Sequence, residues 1–186
     1  MDALECLLTR DSAAKLAAPA PDRAALGAML DAAVRAPDHG RLRPWRFVVI
    51  ETDRRAAFGE VLAGSLRRRE PDATPEALQR ERDKALRAPM ILVVAAHLQR
   101  GHKIPVVEQL AAVSAAAQTV LLAAHAQGYG AVWKTGAPAY DAGVRAELGL
   151  GAEDEIVGFL YLGTRVGGGV SLPRPPAAEF TRVWEG

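Results

Sequence analysis

The segment around which this chain is organised runs from Pro105 to Thr135 and reads PVVEQLAAVSAAAQTVLLAAHAQGYGAVWKT. Its first part, residues 106–127, is rich in alanine and lies between Pro105 and Gly128, residues typical of the start and the end of a helix. Such a helix would be about 33 Å long. Apolar residues recur every three or four positions, and Glu108 is its only acidic residue, with no Lys or Arg. This pattern predicts a helix that is buried on most sides.

The residues that follow this helix form a short strand pattern that ends in Trp133, Lys134 and Thr135. A buried helix that leads directly into such a strand delivers polar side chains to the end of a sheet. We therefore predict a functional site there.

Further helices and strands are predicted on both sides of this stretch. The predicted helices run from Asp2 to Leu8, from a cap at Asp22 to Arg35, onward from a cap at Asp53, from Thr74 to about Arg87, and from Tyr140 to Leu148. The predicted strands are Trp45–Glu51, Met90–Ala96 and Ile156–Leu162. Because strands alternate with helices, the local pattern by itself favours a parallel α/β sheet.

Composition limits the classes of function. The 186 residues predict one domain, 1–186, and the net charge of +1 gives no argument for nucleic acid or an anionic membrane as a partner. The one cysteine, Cys6, cannot form an internal disulfide and favours a cytoplasmic location. No stretch is expected to reach the length of a membrane span, and no secretory signal is expected at the N-terminus.

Several polar groups are candidates for binding. Arg10 and Ser12, beside a helix end, suit a phosphate, although an arginine there also matches the helix dipole. Arg35 and His39 lie on either side of Pro37, and the helix that contains Arg35 must end before this proline. The four histidines lack metal-ligand spacing, so no metal site is predicted. The basic residues near Trp45, namely Arg41, Arg43 and Arg46, leave single-stranded nucleic acid open as an alternative.

Motifs of other enzyme classes are absent from the sequence. It contains no dinucleotide-binding glycine motif after a strand, no P-loop and no nucleophile elbow. Chemistry is therefore expected on a bound cofactor rather than on a protein side chain.

In order along the chain, several short motifs resemble the nitroreductase family of FMN-dependent NAD(P)H oxidoreductases, in particular its compact bacterial members. These motifs are residues 1–5 with Arg10 and Ser12, residues 35–39, 44–47, 102–105, 126–130, 133–136 and 156–164. They span nearly the whole chain. Each is modest alone, and the ordered set carries the resemblance.

The resemblance implies an α+β fold in place of a parallel sheet: a mixed, mostly antiparallel sheet flanked by helices. It implies a homodimer with the long helix at its core, one FMN per subunit at the interface, and residues 166–186 as an arm that reaches over the partner. On this basis a charge placed at Ala117 is expected to separate the subunits.

The resemblance also implies roles for individual residues. Arg10, Asp11 and Ser12 would lie at the FMN phosphate and ribityl chain, Arg35 and His39 would come from the other subunit, and Trp133, Lys134 and Thr135 would line the flavin. The segment implied for the nicotinamide nucleotide consists of Ala123, Ala124, His125, Ala126, Gln127 and Gly128.

This sequence departs from the family pattern at three places. The usual Arg-Arg-Ser is Arg10-Asp11-Ser12 here, and a carboxylate repels a phosphate. Arg41 and Arg43 stand where the broader family often has Asn and Gln. Arg165 follows the last predicted strand and is a candidate addition to the phosphate site.

The resemblance implies hydride transfer from NAD(P)H through flavin N5 to a nitroaromatic, a quinone or a similar small acceptor, without a dedicated catalytic side chain. Lys134 would favour negative charge on the reduced ring. The alternatives are a flavin-binding protein without turnover, or another reaction of the family, such as dehydrogenation, enone reduction or dehalogenation.

Overall fold

The computed structural model describes residues 1–167 and 173–186. In chain order its elements are α1 (Ala3–Thr9), β1 (Leu16–Ala17), α2 (Arg23–Ala33), β2 (Trp45–Ile50), α3 (Arg55–Arg69), α4 (Pro75–Lys84), β3 (Met90–His97), α5 (Val106–Ala126), β4 (Gly130–Lys134), α6 (Ala142–Glu147) and β5 (Asp154–Arg165). Short 3₁₀ turns lie at His39–Arg41, Thr52–Arg54, Ala137–Tyr140 and Ala177–Phe180.

Side-chain caps fix the starts of several helices. Asp2 and Glu5 form a capping box at the start of α1, with the Glu5 amide donating to Asp2 at 2.9 Å. Asp22 caps α2, as predicted, and Thr74 caps α4. The predicted cap at Asp53 is wrong, because a 3₁₀ turn precedes α3 and no side chain caps it. The helix predicted to begin at Tyr140 begins at Ala142, capped by Asp141.

The long helix α5 matches its prediction closely. It ends one residue before the predicted Gln127, and Gly128 follows with a φ of +82°, a conformation that favours glycine. Val113, Ala117 and Ala124 are completely buried within their own chain. A charge at Ala117 would therefore disrupt the core, so the expectation that it tests subunit association is wrong.

By length and composition, α5 is also long and apolar enough to cross a membrane, with a mean hydropathy of 1.5. The expectation that no stretch has that property is therefore wrong. Core helices of soluble proteins pass the same test, and α5 packs against α2 and the sheet.

The sheet has the strand order β1-β5-β3-β2, with β4 also paired to β5, and every pairing in the described residues is antiparallel. The parallel sheet favoured by the local pattern is thus wrong, and the α+β fold implied by the resemblance is confirmed. The reason lies in β5. Strands β3 and β4, joined by α5, do run parallel to each other, but β5 lies between them and runs in the opposite direction.

The core has two layers, one on each face of the sheet. Along β3, Leu92 and Val94 pack toward α2 and α5, whereas Ile91 and Val93 pack toward α3 and α6. This central strand is buried on both faces, as its continuous apolar run predicted.

The C-terminal segment makes up the end of the predicted arm. Residues 168–172, near the start of the predicted arm of residues 166–186, lie outside the described residues. Beyond them, Phe180, Val183 and Trp184 are largely exposed, Trp184 to 89%. The single domain and the arm stay predictions.

Candidate functional site

Two adjoining clefts lie on the α3 side of the sheet, near the end of β4. Their volumes are about 390 and 370 Å³, and Arg87, Lys134 and Tyr161 line both. Thr135 lines the first cleft and Ser12 the second. The structure therefore brings together two parts of the predicted site, the segment after α1 and the end of β4.

The sheet itself positions these groups. Val132 on β4 pairs with Tyr161 on β5, and Lys134 follows two residues later on the same face. Burial raises the pKa of the Tyr161 phenol, so its hydroxyl stays protonated at neutral pH. Arg87 lies three residues before Met90, the first residue of β3. The residues that line both clefts are thus two cations, Arg87 and Lys134, and one neutral hydroxyl, that of Tyr161.

The first cleft also holds a buried acceptor. Lys84 donates to Glu81 Oε1 at 2.5 Å, and both residues line the cleft. The other oxygen, Glu81 Oε2, is buried and has no hydrogen-bond partner in the part of the chain that the structure describes. A buried acceptor beside a cleft suits a ligand that carries an N–H or O–H donor.

The segment from Arg10 to Ser12 runs from the end of α1 to the edge of β4. The Ala13 amide donates to the Ala131 carbonyl at 2.9 Å, which fixes this segment against the sheet. The Asp11 carboxylate accepts hydrogen bonds from Arg165 at the end of β5. These bonds hold the pKa of Asp11 below its usual value, so Asp11 is ionised.

Within one chain, His39 and the segment that ends at Ser12 lie at opposite ends of α5, and Arg35 precedes His39 by four residues. His39 Nδ1 bonds to Glu108 Oε2 at 2.6 Å near the start of α5, whereas Thr9 bonds to His125 near its end. The 17 residues between these two anchors span about 25 Å of helix. One chain therefore does not bring the two halves of the predicted flavin site together.

Trp133 and Lys134 point to opposite faces of the sheet. Trp133 packs with the α5 layer and donates from Nε1 to the Val157 carbonyl at 3.3 Å, while Lys134 lines the clefts on the α3 side. Successive side chains along a strand point to opposite faces of the sheet, so Trp133 and Lys134 must face opposite ways. Of the predicted trio, Lys134 and Thr135 face the clefts.

The segment implied for the nicotinamide nucleotide is the last turn of α5. Ala124 is completely buried, Ala123 and His125 are half-buried, and Ala126, Gln127 and Gly128 are exposed. Gln127 donates to the Ala123 carbonyl at 3.1 Å. Only the last three residues present a surface to solvent, and their role stays a prediction.

Sequence reasoning missed Glu81, Lys84, Arg87 and Tyr161. Position was a signal for Arg87 alone, a charged residue shortly before a buried strand, whereas Glu81 and Lys84 lie on α4 and Tyr161 lies within β5. Within residues 1–167 and 173–186, no group of three or more His, Cys, Asp or Glu side chains is arranged to hold a metal ion.

Comparison with known proteins agrees with this architecture. The model of the nitroreductase family matches residues 7–164. The chain belongs to the nitroreductase family. It is 40% identical over 179 residues to the Escherichia coli K12 protein named "Putative NAD(P)H nitroreductase YdjA", covering 94% of this chain and 96% of that one. The family resemblance read from the sequence motifs is confirmed.

Solved structures share the nitroreductase fold. A nitroreductase-like protein of Bacillus cereus superposes with a TM-score of 0.86 at 25% identity, covering 100% of this chain and 97% of the other. A Desulfovibrio desulfuricans nitroreductase solved in complex with FMN has a TM-score of 0.76 at 27% identity, covering 96% and 94% of the two chains.

Proposed function

We propose that this nitroreductase binds FMN and transfers hydride from NAD(P)H to a small acceptor, such as a nitroaromatic or a quinone. The observation that carries the proposal is the pair of adjoining clefts shared by Arg87, Lys134 and Tyr161, with Ser12 and Thr135 on their walls. The FMN named in the Desulfovibrio complex and the NAD(P)H named for YdjA support the same cofactor and donor.

The donors and acceptors of the clefts fit FMN. The cofactor carries a phosphate dianion at one end and, at the other, a ring edge with carbonyl acceptors and one N–H donor. Near Ser12 the chain offers Arg10 and Arg165 as cations. In the first cleft it offers Lys84, Arg87 and Lys134 as donors and Glu81 Oε2 as an acceptor. Arg10, Ser12 and Arg165 would hold the phosphate, and the cleft residues would hold the ring.

When bound, FMN supplies the redox chemistry, since its N5 accepts hydride from NAD(P)H and passes it to the acceptor. The protein's part is binding and electrostatics. Lys134 and Arg87 place positive charge at the clefts, which favours a ring that gains negative charge on reduction. No side chain is required as a general acid or base.

We propose that the complete site forms in a homodimer. Within one chain His39 contacts the start of α5, whereas Thr9, three residues before Ser12, contacts its end, about 25 Å away along the helix, so a second copy is the natural source of the other wall. Exposed apolar side chains support association, since Leu8 on α1 is 82% exposed and Val107 on α5 is 70% exposed. The apolar arm that includes Trp184 would pack on the partner.

The proposal is tested by an absorbance spectrum of the purified protein, recorded after FMN addition and again after anaerobic NADH or NADPH. We expect a yellow protein that bleaches with the nucleotide. A protein that stays colourless after FMN addition contradicts the proposal. A yellow protein that never bleaches supports the alternative of flavin binding without turnover. Among proteins that bleach, reoxidation by nitroaromatics, quinones, enones and halogenated compounds separates the reactions of the family.

The nucleic-acid alternative and the predicted location are tested separately. Salt-sensitive retention on a polyanion that FMN does not weaken would favour the nucleic-acid alternative. The cytoplasmic location stays a prediction, checked by cell fractionation.

A further inference from the structure

Asp11 and Arg165 form a charge pair beside the proposed phosphate site. Arg165 Nη1 donates to Asp11 Oδ2 at 3.1 Å, and Nη2 donates to Oδ1. Both side chains are about three-quarters buried, with 24% and 23% of their surfaces exposed. A two-point contact between partly buried groups fixes the guanidinium more firmly than a surface ion pair does.

The fold aims this guanidinium at the Ser12 segment. Arg165 shares a face of β5 with Tyr161, which lines both clefts. Gly130 on β4 leaves the necessary space, because an added Cβ there would lie 2.6 Å from Leu16 Cδ2 and 3.2 Å from Arg165 Cβ. Ser12, the residue after Asp11, lines the second cleft. The pair therefore adjoins the cleft.

An anion that binds Arg165 competes with the Asp11 carboxylate for the guanidinium. Asp11 occupies donors on both terminal nitrogens of the guanidinium, although an arginine has five N–H donors, so others remain for a second acceptor. The carboxylate also repels a phosphate dianion at close range. Asp11 thus holds Arg165 in place and at the same time opposes the binding of an anion.

We propose that Arg165 supplies a cation for the FMN phosphate and that Asp11 is a positioning residue that weakens FMN binding by competing for this guanidinium, an inference that rests on the proposed function. Discrimination between phosphorylated and unphosphorylated flavin is then set by the pair rather than by Arg165 alone. The chain would bind FMN less tightly than its cations allow and would exchange the cofactor more readily.

The test compares FMN with riboflavin, which has the same ring and no phosphate. Dissociation constants of both are measured by quenching of flavin fluorescence with flavin-free wild-type, Asp11→Asn and Arg165→Gln proteins. We expect Asp11→Asn to bind FMN about tenfold more tightly, the effect of removing one nearby like charge at a partly screened site. We expect Arg165→Gln to bind FMN about tenfold more weakly, since it loses one charge-assisted contact. Riboflavin binding should change less than twofold in both variants.

A matched control makes the same change in net charge elsewhere. Glu153→Gln removes one exposed carboxylate just before the start of β5, at the opposite end of that strand from Arg165. It should leave both dissociation constants unchanged. Raising the salt concentration should reduce the difference between wild type and Asp11→Asn for FMN only.

The outcomes separate the two proposals. Unchanged or weaker FMN binding by Asp11→Asn overturns the role of Asp11, and unchanged FMN binding by Arg165→Gln overturns the role of Arg165; in both cases the proposed function stands. Because riboflavin binding reports the folded ring site, a variant that fails to fold is recognised by its loss of riboflavin. A wild-type protein that binds neither flavin contradicts the proposed function and this inference together.

Discussion

The Asp141 carboxylate joins α6 to α3, since it accepts a hydrogen bond from Arg68 Nη2 at 2.8 Å and caps the first turn of α6 through the Gly143 and Val144 amides. The buried Ser65 hydroxyl donates to its second oxygen at 2.8 Å. One carboxylate thus fixes α6 against α3, a helix that lines the first cleft.

Asp141 makes the stability of the fold depend on pH in the acid range. Burial raises the pKa of this carboxyl, but the hydrogen bonds from Arg68, Ser65 and the Val144 amide outweigh burial and lower it from 3.8 to about 2. A lowered folded-state pKa contributes stability that is present above about pH 4 and is lost as the pH falls toward about 2, here about 2 kcal/mol. Urea unfolding of wild type and Asp141→Asn as a function of pH measures this contribution.

We expect Asp141→Asn to be less stable than wild type by about 1–2 kcal/mol at pH 7 and to lose that difference near pH 2. Asp141→Ala should lose about 1 kcal/mol more, because asparagine still caps a helix and alanine does not. Equal free energies of unfolding for wild type and Asp141→Asn at pH 7 would contradict this role.

A two-chain site predicts complementation between different variants. Arg10→Ala and His39→Ala remove residues from the two separated halves, and each variant alone should lose FMN affinity. If the halves meet across a dimer, a mixed dimer carries one intact site and one doubly altered site. Dimers purified through two different tags, one on each variant, should therefore hold about half the FMN of wild type at limiting flavin. Absorbance of the purified mixed dimers measures this, and no recovery over the single variants would place each site within one chain.

The exposed side of α5 indicates where a substitution can break the proposed dimer. Val107 and Ala111 are exposed, and Ala115 and Gln118 are half-buried on the same side of the helix. Ala111→Arg should keep the fold but convert a dimer to monomers in size-exclusion chromatography, and flavin should be lost with it. Ala117→Arg, on the fully buried side, is the contrasting variant and should lower stability by several kcal/mol. A dimeric, flavin-bound Ala111→Arg protein would contradict the proposed interface.

The position of Lys134 at the clefts predicts that this residue raises the reduction potential of bound flavin. A cation at the clefts stabilises the more negative reduced ring, so Lys134→Met should lower the midpoint potential by roughly 30 mV, which corresponds to about 1.4 kcal/mol for a two-electron couple. Anaerobic titration against a reference dye measures the potential. Lys103→Met, in the exposed loop before α5, makes the same change in charge as a control, and equal shifts in both variants would argue against a local effect of Lys134.

Local structure was largely predictable from the sequence. The caps at Asp2, Asp22 and Thr74, the continuous burial of β3 and the extent of α5 all follow from short-range hydrogen bonds and from the spacing of apolar residues. The predicted cap at Asp53 failed because its residue type suits a cap, but the chain there turns before α3 begins.

Strand direction and neighbours were decided by tertiary structure. Strands β3 and β4 with the helix between them have the local pattern of a parallel unit, and only the long-range placement of β5 between them makes the sheet antiparallel. No periodicity within a strand encodes which distant strand will pair with it.

The core helix, the elements around it and, through the ordered motifs, the family can all be read from the sequence. The assembled sheet was needed to show that Lys134 faces the clefts while Trp133 faces α5, that Arg87 and Tyr161 join Lys134, and that Asp11 pairs with Arg165 across 154 positions. These features differ in range, because helix caps and apolar periodicity act over a few residues, whereas a site is made by side chains that meet only after the sheet has assembled.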